Sequence, residues 1–280
     1  MAMKKSEFRI EEITVENFGK NYIKIYTNGN VKLLVKDEFF KEVSPFKNGV
    51  GMVQRKNELY NFLDENGNYI SSIDFVYASG FLDNDTSIIV TEKGEKNYLR
   101  KDGSFVSKEN LGDELQCFEN GIAAVKRQNN MYNFLLEEDG VMLFHDDFVS
   151  IISVFNSAGV AIVEVEPEEY NFIAYDGTYI FDDNFIGIVY DGKFTAVKSK
   201  TGFWNYVTSD GELVSNEWFL ETYGVFSEFG ITWVRRENGL FNLLTVNGNL
   251  VFSVDLEVRE LKKESKAVFK SFMETMERLK

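Results

Sequence analysis

The sequence predicts an all-β fold, made of about seven antiparallel β repeats of ~36 residues in a propeller-like ring or a curved β-solenoid, with a C-terminal α-helix added. Three observations predict it. Aromatic residues are frequent, with 26 Phe and 13 Tyr beside only 2 Pro in 280 residues, which suits many short strands filled by rings. A short word recurs along the chain: "YNFLDENGNYI", "YNFLLEEDGVML", "YNFIAYDGTYI", "WNYVTSDGELV" and "FNLLTVNGNLV". Apolar residues inside and just before each word alternate, the period of a half-buried strand.

The word sets the register of the repeat. Its asparagine falls at Asn61, Asn97, Asn133, Asn171, Asn205 and Asn242, separated by 36, 36, 38, 34 and 37 residues. A turn glycine follows at Gly67, Gly103, Gly140, Gly177, Gly211 and Gly248, six residues on in every copy but the one at Asn133, where the spacing is seven. A weaker first copy is laid on "NVKLLVKDEFF", with Lys32 in the asparagine place and Glu38 in the glycine place. Tyr60, Phe62 and Asp64 are expected on one face of their strand, and Asn61 and Leu63 on the other. The Asn-Gly or Asp-Gly pair that closes the word predicts a tight hairpin with positive φ at its central residues. Upstream, "FKNGVGMVQR", "FENGIAAVKR", "FNSAGVAIVE" and "FSEFGITWVRR" supply a second strand, and "NYISSI" or "ELVSNEWF" a third after the turn. The acidic-aromatic stretches "NEWF", "DDNF" and "DDF" are candidates for a fourth. Units of this size cannot bury their apolar faces alone, so neighbouring copies must stack.

This pattern resembles the WG-repeat (KWG-repeat) family of bacterial and phage β-repeat proteins over some 235 of the residues, roughly 20 to 254. The Trp-Gly pair of that family is replaced here by Tyr60-Asn61, Tyr132-Asn133, Tyr170-Asn171, Trp204-Asn205 and Phe241-Asn242, and most divergently by Lys96-Asn97. The resemblance implies a β-repeat array used for binding, with no catalytic residue to carry over. Asparagine tolerates positive φ, so the exchange predicts a backbone bulge at the word, with the side-chain amide tying adjacent strands together.

The organisation that follows is a repeat domain over residues 1–254 and an amphipathic helix over 255–280. In the tail Leu261, Val268, Phe272, Met276 and Leu279 recur at helical spacing, and charged residues fill the gaps. A helix of about 24 residues is roughly 36 Å long. Its stripe suits either capping the array or docking a partner.

Charge narrows the partners. The net charge is −15, and residues 256–280 hold seven Lys or Arg against five Asp or Glu, leaving 23 against 40 in the rest. Such a body repels nucleic-acid backbones, so nucleic acid is not expected as a partner. An acidic decoy that mimics DNA towards a host protein, of phage origin, is one alternative. The N-terminus lacks an apolar run behind its basic residues, and no stretch of about 18 uncharged apolar residues occurs, so the expected place is the cytoplasm, without membrane association.

Motifs for chemistry are sparse. Cys117 is the sole cysteine, expected as a small buried core residue, and His145 the sole histidine, expected at a solvated strand end. The acidic clusters at 83–86, 145–147 and 182–184 lack the ligand spacing of a calcium loop, and no phosphate-binding glycine loop is present. No metal or cofactor is expected. Trp204, Trp218, Trp233 and Tyr223 are candidates for a sugar- or protein-binding face, although their phase in the repeat favours the core. Two function classes follow: a non-enzymatic cytosolic platform for a protein partner, and a small-ligand binder or enzyme with a pocket at the centre of the array.

Overall fold

A computed structural model describes residues 8–82 and 84–257. The helix expected over 255–280, with its stripe from Leu261 to Leu279, lies almost wholly outside the described residues. Among those described, every regular element is a β-strand and every strand pair is antiparallel. The chain divides after His145 into two compact units, Met1–His145 and Asp146–Lys280.

A copy contains up to three consecutive strands. In the copy around Asn205 these are Gly187–Tyr190, Phe194–Lys198 and Trp204–Thr208, paired in that order. The copies around Asn171 and Asn242 have the same plan, as Ser150–Ser153, Val160–Glu166, Glu169–Ala174 and Glu221–Tyr223, Ile231–Arg235, Phe241–Thr245. Around Asn133 the first strand shrinks to a single bridge, Leu115 to Val125. In the first unit the strands around Asn61 and Asn97 join through one residue pair, Tyr60 with Phe75, into a six-stranded sheet.

Burial departs from the half-buried expectation. The third strand of nearly every copy buries three consecutive residues, as in Asn61-Phe62-Leu63 or Asn205-Tyr206-Val207, and so do the second strands Ile122–Lys126, Val160–Glu166, Phe194–Lys198 and Ile231–Arg235. Both faces become covered where consecutive copies within a unit pack on one another. Phe62 packs with Phe75, Ile89 and Leu99 of the following copy, and Tyr206 and Phe219 pack with Val234 and Leu244 of theirs. The apolar core is therefore largely a series of junction cores shared by consecutive copies, with one further cluster, Trp233, Phe241 and Leu243, inside the last copy; sharing is how a unit too small to fold alone removes its surface from water.

After the turn glycine the chain returns along the third strand through isolated bridges only, Leu63 to Tyr69 and Val207 to Leu213 for example. The acidic-aromatic stretch then comes back to the start of that strand, Phe185 against Tyr170 and Phe219 against Trp204. The stretches "DDNF" and "NEWF" thus pair as a fourth arm of one bridge each.

The turn itself differs from the sequence expectation. Gly67 N–H donates to Asp64 O and Asp64 N–H to Asn68 O, and in "DENGN" only Gly67 has positive φ, not Asn66. This is a three-residue loop with a glycine bulge. None of the six word asparagines has positive φ either, so the predicted backbone bulge is absent, and what recurs at these positions is the side-chain amide.

Candidate functional site: the repeat junctions

Each word asparagine is a buried bracket. Asn205 Nδ2 donates to Ser215 O (2.7 Å) and Glu217 O (3.1 Å), while its Oδ1 accepts the Tyr206 N–H (2.7 Å). Asn97 repeats this with Ser107 O (2.8 Å), Glu109 O (3.2 Å) and Tyr98 N–H (2.8 Å). In Asn171 and Asn242 the second acceptor is a side chain thirteen residues on, Asn184 Oδ1 (2.9 Å) or Asp255 Oδ1 (2.8 Å), while Asn61 keeps both carbonyls, Ser71 O (3.2 Å) and Ile73 O (3.0 Å), and adds Asp74 Oδ1 (2.8 Å). Asn133 reaches Phe144 O at 3.0 Å, one residue farther along than the others, because its turn is one residue longer. The amide takes the carbonyls that would otherwise continue the ladder, and so bends the chain away after a single bridge.

The same bracket occurs at Asn21, whose Nδ2 donates to Val35 O (2.8 Å) and Glu38 O (3.0 Å) and whose Oδ1 accepts the Tyr22 N–H (2.7 Å). The first copy is therefore centred on Asn21, in the strand Gly19–Tyr26, and not on Lys32. Glu38 accordingly holds no turn-glycine place; it is the acidic arm of that copy.

Bracketing delivers the acidic arm of one copy to the second-to-third strand turn of the next. Arg55 donates from Nη1 to Asp74 of its own copy (2.7 Å) and from Nε to Glu38 of the preceding copy (3.0 Å). Arg236 does likewise with Asp255 (2.8 Å) and Glu217 (2.8 Å), and Arg127 reaches Glu109 (2.8 Å). Burial would raise the Asp255 carboxyl, but hydrogen bonds from Asn242, Asn238 and Arg236 outweigh it and hold the group below the usual carboxylate range. Tyr69 donates its hydroxyl to Glu38 (2.6 Å); burial first, then this bond, push the phenol far above its ordinary value, so it stays a donor.

A groove opens at these junctions. One, of about 750 Å³, is lined by Phe203, Glu217 and Trp218 on one side and Arg236, Glu237 and Asn238 on the other. Its counterpart in the first unit, about 320 Å³, sets Glu38 and Phe39 against Arg55, Lys56 and Asn57. A third, about 300 Å³, sets Asp183, Asn184 and Phe185 against Lys200 and Thr201, with Trp218 in its wall. The residues differ, but the two elements that meet are the same each time.

No protein-family model and no curated protein matches this chain. Solved structures similar to it include BamB from Moraxella catarrhalis (10% identity, 89% of this chain and 92% of that chain, TM-score 0.31), the C-terminal WD40 domain of Sif2 (8%, 86% and 79%, TM-score 0.29) and Hsv2p from Kluyveromyces lactis (9%, 80% and 77%, TM-score 0.32). At such scores these likenesses carry no weight for fold or function, which rest on the geometry described.

Other sequence candidates take different places. Cys117 is exposed, contrary to expectation: in its segment Phe118 packs inward against Tyr98 and Gln116 O accepts the Tyr98 hydroxyl, which leaves the thiol facing out. Trp233 is buried, while Trp204, Trp218 and Tyr223 are half-buried, and of these Trp218 reaches the grooves. Among the described residues no group of three or more His, Cys, Asp or Glu is placed to hold a metal ion, and no helix is long and apolar enough to cross a membrane. The grooves were missed in the sequence because each is built by segments about 18 residues apart, such as Glu217 and Arg236, and the one signal for them was the recurring acid-aromatic pair.

Proposed function

We propose that the protein is a non-enzymatic binding platform whose repeat junctions receive a protein partner. The observation that carries this reading is the recurrence of one groove design at several junctions, an acid and an aromatic residue facing a polar turn, with side chains varied from groove to groove. Repetition with variation suits an extended partner that touches several copies, as repeat arrays generally engage theirs. The finer architecture that goes with it is a WG-like set of seven blades in a propeller-like or solenoidal array.

Photo-crosslinking tests it. A photoreactive residue at Asn57 or Asn238, both groove residues, should give a discrete adduct in lysate of the source organism, while the same residue at exposed Glu119 gives none. Adducts equal at all three positions, or absent at all three, would remove the reading.

A further inference from the structure

We propose that the trough walled by Trp218 in the second unit recognises the Lys or Arg side chains of an extended cationic peptide segment, an inference that rests on the platform reading. Trp218 lines two adjoining grooves, of about 750 and 300 Å³, so its indole is the wall common to both. Phe185 lies 6.4 Å from it, centroid to centroid, and Phe203 lines the larger groove. An aromatic wall of this kind attracts a cation to its face.

The charges around it favour the same ligand. The two cations already present are engaged internally, Lys200 with Glu169 (3.0 Å) and Arg236 with Glu217 and Asp255 (2.8 Å each). By contrast Asp182, Asp183 and Glu237 are exposed, line these grooves, and have no ion-pair or hydrogen-bond partner among the described residues. A cationic side chain gains both the indole face and a carboxylate; an anionic ligand is repelled, and an uncharged one leaves the carboxylates unused. The protein's net charge of −15 also steers cations towards it. The equivalent groove of the first unit has Phe39 in the place of Trp218 and Lys56 in the place of Glu237, which makes it a poorer site for a cation.

Fluorescence anisotropy with labelled nonapeptides, Lys-rich, Glu-rich and uncharged, on the full chain at physiological salt tests the proposal. The variant Asp182→Asn/Asp183→Asn/Glu237→Gln is compared with Glu65→Gln/Glu119→Gln/Glu138→Gln, which removes as much charge from exposed positions of the first unit. All six substitutions are exposed and near-isosteric, and thermal unfolding checks that both proteins fold. The Lys-rich peptide should bind wild type and the first-unit variant alike, and the trough variant about tenfold more weakly. Equal weakening by both variants would reduce the effect to diffuse acidity and overturn the proposal. Tighter binding of the uncharged or Glu-rich peptide overturns it while leaving the platform standing; no binding by any peptide, together with no crosslinked adduct, removes both.

Discussion

Asn205 satisfies two carbonyls and a backbone N–H with one buried amide, and among the described residues no buried side-chain nitrogen or oxygen is left without a partner. Asn205→Ala strands those groups in the interior, so urea unfolding should show a loss of about 3 kcal/mol. A loss under about 1 kcal/mol would mean that the bracket is dispensable. Glycine gives a sharper comparison within one copy. Gly94 and Gly103 have nearly the same φ, +80° and +84°, but a Cβ on Gly94 meets nothing within 4 Å while one on Gly103 overlaps the carbonyl oxygen of Ile70 in the preceding copy. Gly94→Ala should cost the left-handed penalty of about 1–2 kcal/mol, and Gly103→Ala clearly more, because the Ile70 backbone must move too. Equal costs would show that the turn does not rest on its neighbour. The asparagine and glycine positions were legible from spacing alone. Their reasons were not, since a repeat of letters does not say whether the backbone angle or the side-chain amide of Asn61 is what recurs.

At the scale of the element, the turns between second and third strands offer a natural series. Gly94, Gly202 and Gly239 occupy the left-handed position in three copies, while Glu58, Asn130 and Glu168 occupy it in others, at φ of +73°, +66° and +64°. Glu168→Gly should raise stability by about 0.5–1 kcal/mol, the left-handed strain relieved less the added chain entropy. A fall in melting temperature would contradict that. Tyrosine hydroxyls link copies as well: Tyr98 donates to Gln116 O and Tyr206 to Gly224 O, each in the copy that follows. Strand existence and order were readable from alternation and turn glycines; two-sided burial was not, because it depends on the neighbouring copies and not on the strand's own pattern. The first copy was misplaced because its turn glycine, Gly29, lies eight residues beyond Asn21. Its signal was present in the tripeptide Lys20-Asn21-Tyr22, which repeats at Lys96-Asn97-Tyr98.

Across the whole molecule, acid should act on both units at once. Asp64 and Asp102 in the first unit, and Asp176 and Asp255 in the second, all lie below the usual carboxylate range. For Asp64 burial opposes the shift and hydrogen bonds from Asn68 and Asn66 overcome it; for Asp102 and Asp176 the hydroxyls of Ser104 and Thr178 lead. A carboxyl with a lower pKa in the folded than in the unfolded state adds stability above the unfolded value and loses it as the pH falls through the folded one. Unfolding midpoints should hold between pH 7 and 5 and drop below about pH 4, and Asp255→Asn should be less stable at neutral pH yet lose less on acidification. A partner held at the repeat junctions should shield their backbone amides from solvent. Hydrogen–deuterium exchange of the full chain, with and without the partner captured through Asn238, reads this shielding. Protection is expected at residues 181–185, 199–201, 217–218 and 236–238, where the grooves of the second unit lie. Protection confined instead to strands that line none of these grooves, such as Phe8–Val15 and Ile122–Lys126, would contradict it.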